Sequence, residues 1–214
     1  MLPHKFQYIQ DNYITPKGIG TSSFADAIQW ANCLVEPFEI LEKQPRVFLD
    51  YGCADGRLAN FLASRIKDFK YFGLEHPDSV FNEHSNSVFF RDSRCHFGQI
   101  GSTVENEALE SSQYVTLGSV FTHLKVEDFE IIMEKFKNII MENEGQVVFS
   151  IFIDKSYRWE NHFGVYNVAN CISRVFYTEK MLQDFAKSNK YKLTEHKSFL
   201  AQGENLHRIF KVTK

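Results

Sequence analysis

Short apolar runs alternate along the 214-residue chain with stretches whose apolar residues recur every three or four positions. Over residues 22–43, Phe24, Ala27, Ile28, Ala31, Leu34, Val35, Phe38 and Leu41 keep close to helical spacing, and Thr21, Ser22 or Ser23 is placed to cap the first turn. Further helical patterns cover 58–66, 126–141 and 178–187, and strand-like runs lie near residues 47, 71, 88, 114 and 146. Strict alternation of strand and helix predicts a parallel sheet covered on both faces. The last two apolar runs, 191–200 and 206–212, flank Gln202-Gly203-Glu204-Asn205 and predict an antiparallel hairpin. No repeat, low-complexity tract or linker divides the chain. The expectation is one α/β domain over 1–214, with a helical cap over about 1–43.

One segment joins three of these signals. Val47-Phe48-Leu49-Asp50-Tyr51-Gly52-Cys53-Ala54-Asp55-Gly56-Arg57-Leu58-Ala59 reads as a strand, a glycine turn and a helix start in succession. Apolar residues closing on an acid suit the carboxyl end of a parallel strand, where side chains meet a crevice, so Asp50 is expected to point at ligand space. Gly52 and Gly56 lack the Cβ atoms that would block a tight turn and a close ligand. The N–H groups opening the helix attract negative charge, whether a pyrophosphate or a carboxylate. A dinucleotide fingerprint would put its third glycine at position 57, one place later than Gly56, which disfavours a nicotinamide cofactor. Tyr71-Phe72-Gly73-Leu74-Glu75 then closes on a carboxylate roughly 20 residues beyond the turn, where a nucleoside ligand needs an acceptor for its ribose hydroxyls. Val88-Phe89-Phe90-Arg91-Asp92-Ser93 reads as a third strand.

The pattern Asp50-x-Gly52-x-Ala54-x-Gly56 resembles motif I of the class I S-adenosylmethionine-dependent methyltransferases, with Ala54 in place of the central glycine. Tyr114-Val115-Thr116-Leu117-Gly118-Ser119-Val120-Phe121-Thr122-His123-Leu124 is similar to the fourth strand and following loop of small-molecule methyltransferases, and Glu144-Gly145-Gln146-Val147-Val148-Phe149-Ser150 resembles the fifth. The likeness covers roughly 46–152. It departs where Gln113 or Tyr114 replaces an aspartate common at the start of the fourth strand. The resemblance implies a Rossmann-like fold with a mostly parallel seven-stranded sheet, helices on both faces and a C-terminal antiparallel β-hairpin. It implies a methyltransferase of the EC 2.1.1 class, with S-adenosyl-L-methionine as cofactor and S-adenosyl-L-homocysteine as product. Asp50, Gly52, Ala54 and Gly56 would surround the methionine end and Glu75 the ribose. Asp92, with Ser93, would meet the adenine amino group, and Gly118 and Ser119 would form the wall after the fourth strand. In some relatives a histidine at position 123 joins two glutamates spaced E-x-x-E-H to hold Mg²⁺. Ser119 and Thr122 occupy those places here, so no metal is expected through this motif.

Charge and cysteine usage narrow the partners. With 24 Lys plus Arg against 27 Asp plus Glu, the net charge of -3 offers no funnel toward a polyanion, so nucleic acid is not expected. The Asp/Asn-Pro-Pro-Tyr/Phe grip of amino-methylating DNA enzymes is absent too. No apolar run approaches a membrane span, and the start of the chain lacks a secretory pattern, so a cytoplasmic protein is expected. Cys33, Cys53, Cys95 and Cys171 form no C-x-x-C pair and read as reduced thiols rather than zinc ligands or disulfides.

The acceptor site is expected beyond the carboxyl ends of the strands. The segment 154–177 is long and aromatic for a connector, and its Tyr157, Trp159 and Tyr166 are candidates to line an acceptor, with Asn161 and Asn167 available to hydroxyls. The competing reading is a small helical insertion that packs its aromatics on the core. Methyl transfer from a sulfonium is an in-line displacement in which alignment supplies much of the rate. For a hydroxyl acceptor His123 is the first candidate base and His162 the second. The leading expectation is O-methylation of a small molecule or a sugar or glycan hydroxyl. The alternatives are methylation at nitrogen or carbon, on a small molecule or a protein side chain, and a non-catalytic module that binds the cofactor.

Overall fold

The computed structural model describes residues 24–39, 46–54, 56–77, 92–142, 144–160, 174–200 and 206–214. A helix, α1 (Phe24–Val35), leads into β1 (Arg46–Tyr51), α2 (Arg57–Arg65) and β2 (Phe69–Glu75). Next come β3 (Cys95–Gln99), α3 (Thr103–Ser111), β4 (Tyr114–Leu117), α4 (Val126–Lys135), α5 (Lys137–Met141) and β5 (Gln146–Ile153). The chain closes through β6 (Arg158–Glu160), β7 (Arg174–Tyr177), α6 (Glu179–Asn189), β8 (Lys192–Glu195), β9 (Phe199–Leu200) and β10 (Leu206–Thr213).

The main sheet has the order β3-β2-β1-β4-β5-β10-β8. β1 to β5 run parallel to their neighbours, whereas β10 is antiparallel to β5 and β8. The expected architecture, a parallel sheet closed by an antiparallel C-terminal hairpin, is therefore present. Strand order reverses between β1 and β4, which opens a crevice at their carboxyl ends.

Both faces are covered, as continuous apolar strands require. Phe48, Tyr71, Tyr114 and Val148 face a cluster formed with α1 and α2 through Trp30, Leu34, Leu58 and Leu62. Leu49, Phe72, Val115, Val147 and Phe149 face the opposite cluster, built on α3 to α6. Phe129 of α4 is central there, with Phe121, Phe149, Tyr177 and Phe185 at ring distances of 4.6, 5.8, 5.8 and 4.9 Å. Truncating it to alanine would cost about 3 to 5 kcal/mol. The Thr178 hydroxyl accepts from the Met181 N–H and starts α6, and Lys190 ends it in the left-handed region.

Several expectations change. The periodic stretch 126–141 is two helices, broken at Phe136, whose backbone (φ -91°, ψ 4°) leaves the helical region. α3 was not expected, because Glu105 and Ala108 are its buried residues and give no apolar stripe. The strand that pairs with β2 is Cys95–Gln99; the run expected near 88 lies largely outside the described residues, and its end, Asp92-Ser93, is a turn ahead of β3. The segment expected at 154–177 contributes β6 and β7, which pair antiparallel, and β7 continues the sheet parallel to the end of β5. No helix among the described residues is long and apolar enough to cross a membrane.

Candidate functional site

Where β1 ends, the backbone turns over through Gly52 (φ 81°), Ala54 (φ 48°) and Gly56 (φ 73°), all in the left-handed region. The Gly52 and Cys53 N–H groups both donate to the Leu74 carbonyl, at 2.7 and 3.0 Å, which draws the turn onto the end of β2. Gly56 then caps α2 without any side-chain hydrogen bond; the Ala59 N–H turns back to the Gly56 carbonyl at 3.0 Å, and the two N–H groups ahead of it have no intrahelical partner. A Cβ at position 52 would stand 2.5 Å from Val120 Cγ2, so the turn approaches the loop after β4 as closely as glycine permits.

Glu75 ends β2 beside this turn. Its carboxylate accepts from the Ala54 N–H at 2.7 Å and the His76 N–H at 2.9 Å. Two strand ends and the turn thus meet at one carboxylate, half-exposed and with lone pairs to spare for a pair of hydroxyls. Gly52, Ala54, Gly56 and Glu75 stand together at this turn.

Asp50 is not part of the open surface. Its register pairs it with Gly73 and Thr116 and puts its side chain on the α1–α2 face, only 5% exposed. There it accepts from the Tyr71 hydroxyl at 2.8 Å and the Thr116 hydroxyl at 3.0 Å. Burial pushes the Tyr71 phenol up strongly and the adjacent Asp50 charge adds to this, so Tyr71 stays a donor. The expectation that Asp50 points at ligand space is therefore corrected: it is an internal anchor beneath the turn.

Asp92 and Ser93 are corrected as well. Because β3 begins at Cys95, in register with Tyr71, they stand at the amino end of the strand, across the sheet from the crevice. Asp92 is held there by the Arg94 N–H, Nε and Nη2 at 3.1, 3.0 and 2.7 Å, while the Arg94 guanidinium lies 4.5 Å from the centre of the Phe69 ring. At the carboxyl end of β3 the residues are Gln99, in register with Glu75 and exposed, and Ile100. Phe97 sits just before them, its ring within 2.9 Å of where a Cβ on Gly56 or Gly73 would lie. These edge residues escaped the sequence reading; the signal was the turn at Gly101 followed by a helix start.

The other wall is the loop after β4. Ser119 takes a left-handed backbone (φ 61°), its N–H donates to Ser150 Oγ at 2.8 Å, and its carbonyl accepts from the Thr122 hydroxyl at 2.6 Å. Gly118 makes room for α1, since a Cβ there would stand 2.8 Å from Leu34 Cδ1 and 3.0 Å from Trp30 Cζ2. His123 is exposed on the same loop, three residues before α4. The insertion clamps this loop from outside. The Val175 N–H donates to the Thr122 carbonyl at 2.8 Å, the Tyr177 hydroxyl donates to the Leu124 carbonyl, and the Tyr157 hydroxyl accepts from the Val126 N–H at 3.4 Å. Tyr157 packs edge-on to Tyr177 with ring centres 6.0 Å apart, which ties it to the fold. Trp159 remains 47% exposed, with Lys125 Nζ 5.1 Å from its ring centre. His162 and Tyr166 lie outside the described residues.

Beneath the turn, on the opposite face from Asp50, Tyr51, Glu105 and Lys135 form a second polar cluster. Lys135 Nζ donates to Glu105 at 2.7 Å and to the Tyr51 hydroxyl at 3.2 Å, while the Gly101 N–H donates to Glu105 at 2.6 Å. Burial alone would raise the Glu105 carboxyl, but the bonds from Lys135 and Gly101 outweigh it and hold it below its ordinary value. The cluster fixes the β3–α3 turn. Among the described residues no group of three or more His, Cys, Asp or Glu side chains is arranged to hold a metal ion.

No family model matches this chain, and no curated protein matches its sequence. Solved structures do. Magnesium protoporphyrin IX methyltransferase from Synechocystis, solved with bound S-adenosylhomocysteine, is similar over 98% of each chain, with a TM-score of 0.62 at 14% identity. A Burkholderia thailandensis 1,6-didemethyltoxoflavin-N1-methyltransferase, holding its acceptor and S-adenosylhomocysteine, aligns over 100% of this chain and 91% of its own, with a TM-score of 0.60 and 14% identity. Precorrin-6y C5,15-methyltransferase from Geobacter metallireducens aligns over 96% and 95%, with a TM-score of 0.57 at 13% identity. The sheet order, the left-handed turn after β1 and the antiparallel β10 belong together: the chain has the Rossmann-like fold of the class I S-adenosylmethionine-dependent methyltransferases.

Proposed function

We propose that this protein is an S-adenosylmethionine-dependent methyltransferase acting on a hydroxyl of a small molecule or a sugar. The observation that carries the reading is the Glu75 carboxylate bonded at 2.7 Å to the N–H of the left-handed turn, beside the start of α2, where it would be available to ribose hydroxyls. The residues present fit such a cofactor. Glu75 would take the ribose, the Gly52–Gly56 turn and the first N–H groups of α2 the methionine end, and Gln99 with Ile100, at the end of the neighbouring strand, the region of the base. The methyl group and the positive sulfur that activates it are supplied by the cofactor.

The chain's own part is to position and to move a proton. Ser119, fixed by Ser150 and Thr122, holds the loop that faces the turn, so an acceptor seated against it is kept in line rather than free to tumble. His123, exposed on that loop, would take the hydroxyl proton as oxygen attacks carbon. A hydroxyl acceptor needs such a base more than an amine does, and this favours oxygen over nitrogen as the methylated atom. The cytoplasm, the expected compartment, suits a cofactor made and used inside cells.

Calorimetric titration with S-adenosylmethionine and S-adenosylhomocysteine tests the first half. The wild type should bind both, and Glu75→Gln should bind about tenfold more weakly, as loss of a charge-assisted hydrogen bond predicts. No binding by the wild type would end the proposal. A panel of hydroxyl, amine and carbon acceptors, followed by release of S-adenosylhomocysteine, then decides the acceptor atom.

A further inference from the structure

Resting on the methyl-transfer reading above, we propose that the acceptor is an anionic ring compound, a sugar acid or an aryl carboxylate, held by Trp159 and Lys125 at the mouth of the site. Trp159 is 47% exposed, although it belongs to a strand, β6, whose register is fixed by pairing of Arg158, Trp159 and Glu160 with Phe176, Val175 and Arg174. Its neighbours on that strand are differently disposed. Arg158 lies over Phe176, its guanidinium carbon 3.8 Å from the ring centre, and is bonded to Asp154 and Glu160. The pairing and these bonds fix the position of the strand that presents the indole.

Lys125 supplies the charge. Its ammonium stands 5.1 Å from the centre of the Trp159 ring, and it forms no ion pair with a described residue. Arg158, next to Trp159 on the strand, is by contrast neutralised by two carboxylates. The exposed acids of the next turn, Glu127 and Asp128, lie near Tyr177, where their charges help to raise its phenol beyond the effect of burial. An ammonium over an aromatic face, without a carboxylate of its own, is suited to a ligand that stacks on the ring and brings the anion.

The pair is tied to the reacting region through the backbone. Lys125 follows the loop of Ser119, Thr122 and His123; that loop is bonded to β7 through Val175, and the Val126 N–H that starts α4 is bonded to Tyr157 just ahead of β6. Trp159 and Lys125 thus stand beside the segment that carries His123, two residues before Lys125. A ring on Trp159 with its anion at Lys125 would present a ring hydroxyl toward the loop that carries His123.

Matched probes test this in the full-length protein. Trp159 fluorescence is titrated with 4-hydroxybenzoate against 4-hydroxybenzamide, and with glucuronate against glucose, at low and raised salt; the two pairs separate the aryl from the sugar source. At least one acid should bind roughly fivefold more tightly than its neutral partner, a preference that salt reduces. Lys125→Gln should abolish that preference, and Trp159→Leu, read by calorimetry, should weaken both members of the favoured pair. Equal affinities within both pairs, failure of both acids to bind, or a preference that survives Lys125→Gln would overturn the proposal. S-adenosylmethionine affinity, measured in parallel, reports separately on the reading beneath it and should be unchanged in both variants.

Discussion

At β1 and β2 the candidate site is made of backbone, whereas at β4 and β5 it is made of bonds between segments distant in sequence. The first half needs three left-handed residues within five positions and one strand-end carboxylate. The second needs Ser150 under Ser119, Val175 against Thr122, Tyr177 on Leu124 and Tyr157 on Val126. A turn of the first kind accepts one class of ligand in many proteins, because backbone N–H groups and a carboxylate read shared features of a nucleoside. A wall of the second kind changes with each side chain inserted, so on the proposed reading acceptor choice would reside there.

The largest expected effect breaks the first half. Gly52→Val puts a β-branched residue at φ 81° with its Cβ 2.5 Å from Val120 Cγ2. Backbone strain of this kind costs on the order of 1 to 3 kcal/mol, and the clash adds to it. S-adenosylmethionine binding should be lost, while circular dichroism still reports the folded sheet. Unchanged affinity would remove the turn from the site.

His123→Ala breaks the second half alone. Cofactor affinity should stay within error, and turnover on a hydroxyl acceptor should fall on the order of 10² to 10⁴-fold, the usual contribution of a positioned base. Equal turnover would assign proton removal elsewhere. The contrast with Gly52→Val, lost binding against retained binding, is what separates the two walls experimentally.

The same contrast explains what could be read in the sequence. A glycine that must adopt positive φ, or a carboxylate closing an apolar run, is a signal carried by one residue and its neighbours, so Gly52, Gly56 and Glu75 were legible. The face taken by Asp50 was not, because it depends on register with Thr116 and on Tyr71, 66 and 21 positions away. β3 was hidden for another reason. As an edge strand it buries only Cys95 and leaves His96 and Gln99 exposed, so it shows no alternating pattern, and the more apolar 88–90 run outshone it. The tie between the insertion and the β4 loop is made by backbone groups of Val175 and Thr122, which no side-chain pattern announces.

Tyr71→Phe tests how far the buried anchor supports the turn. It removes the 2.8 Å bond to Asp50 and leaves the Thr116 bond in place, at a carboxylate only 5% exposed. A loss of about 1 to 3 kcal/mol in urea denaturation is expected. Stability equal to wild type would mean that Asp50 finds another donor.

Glu105→Gln probes the cluster on the opposite face through pH. The folded carboxyl of Glu105 lies below its unfolded value, so its contribution is fully present above about pH 4.3 and is lost as pH falls through the folded value. Wild type should exceed the variant by about 1 kcal/mol near neutrality, Lys135 being partly solvated, and the gap should close in acid. A gap that widens on acidification would contradict the assignment.

Ala54→Gly has the smallest expected effect and sharpens the comparison most. Alanine at φ 48° carries a strain that glycine does not, on the order of 1 kcal/mol, whereas glycine adds freedom to the unfolded chain and returns part of it. The balance should be a gain of roughly 0.5 kcal/mol, visible as a small rise in melting temperature. Affinity is the more telling readout. The Ala54 N–H donates to Glu75 at 2.7 Å, so the alanine already holds the turn in its left-handed form and presents the carboxylate. If the cofactor half is a backbone device, glycine reproduces that geometry and S-adenosylmethionine affinity changes less than about threefold. A larger change would mean that the Ala54 methyl itself meets the ligand, and that this half, too, is tuned by a side chain.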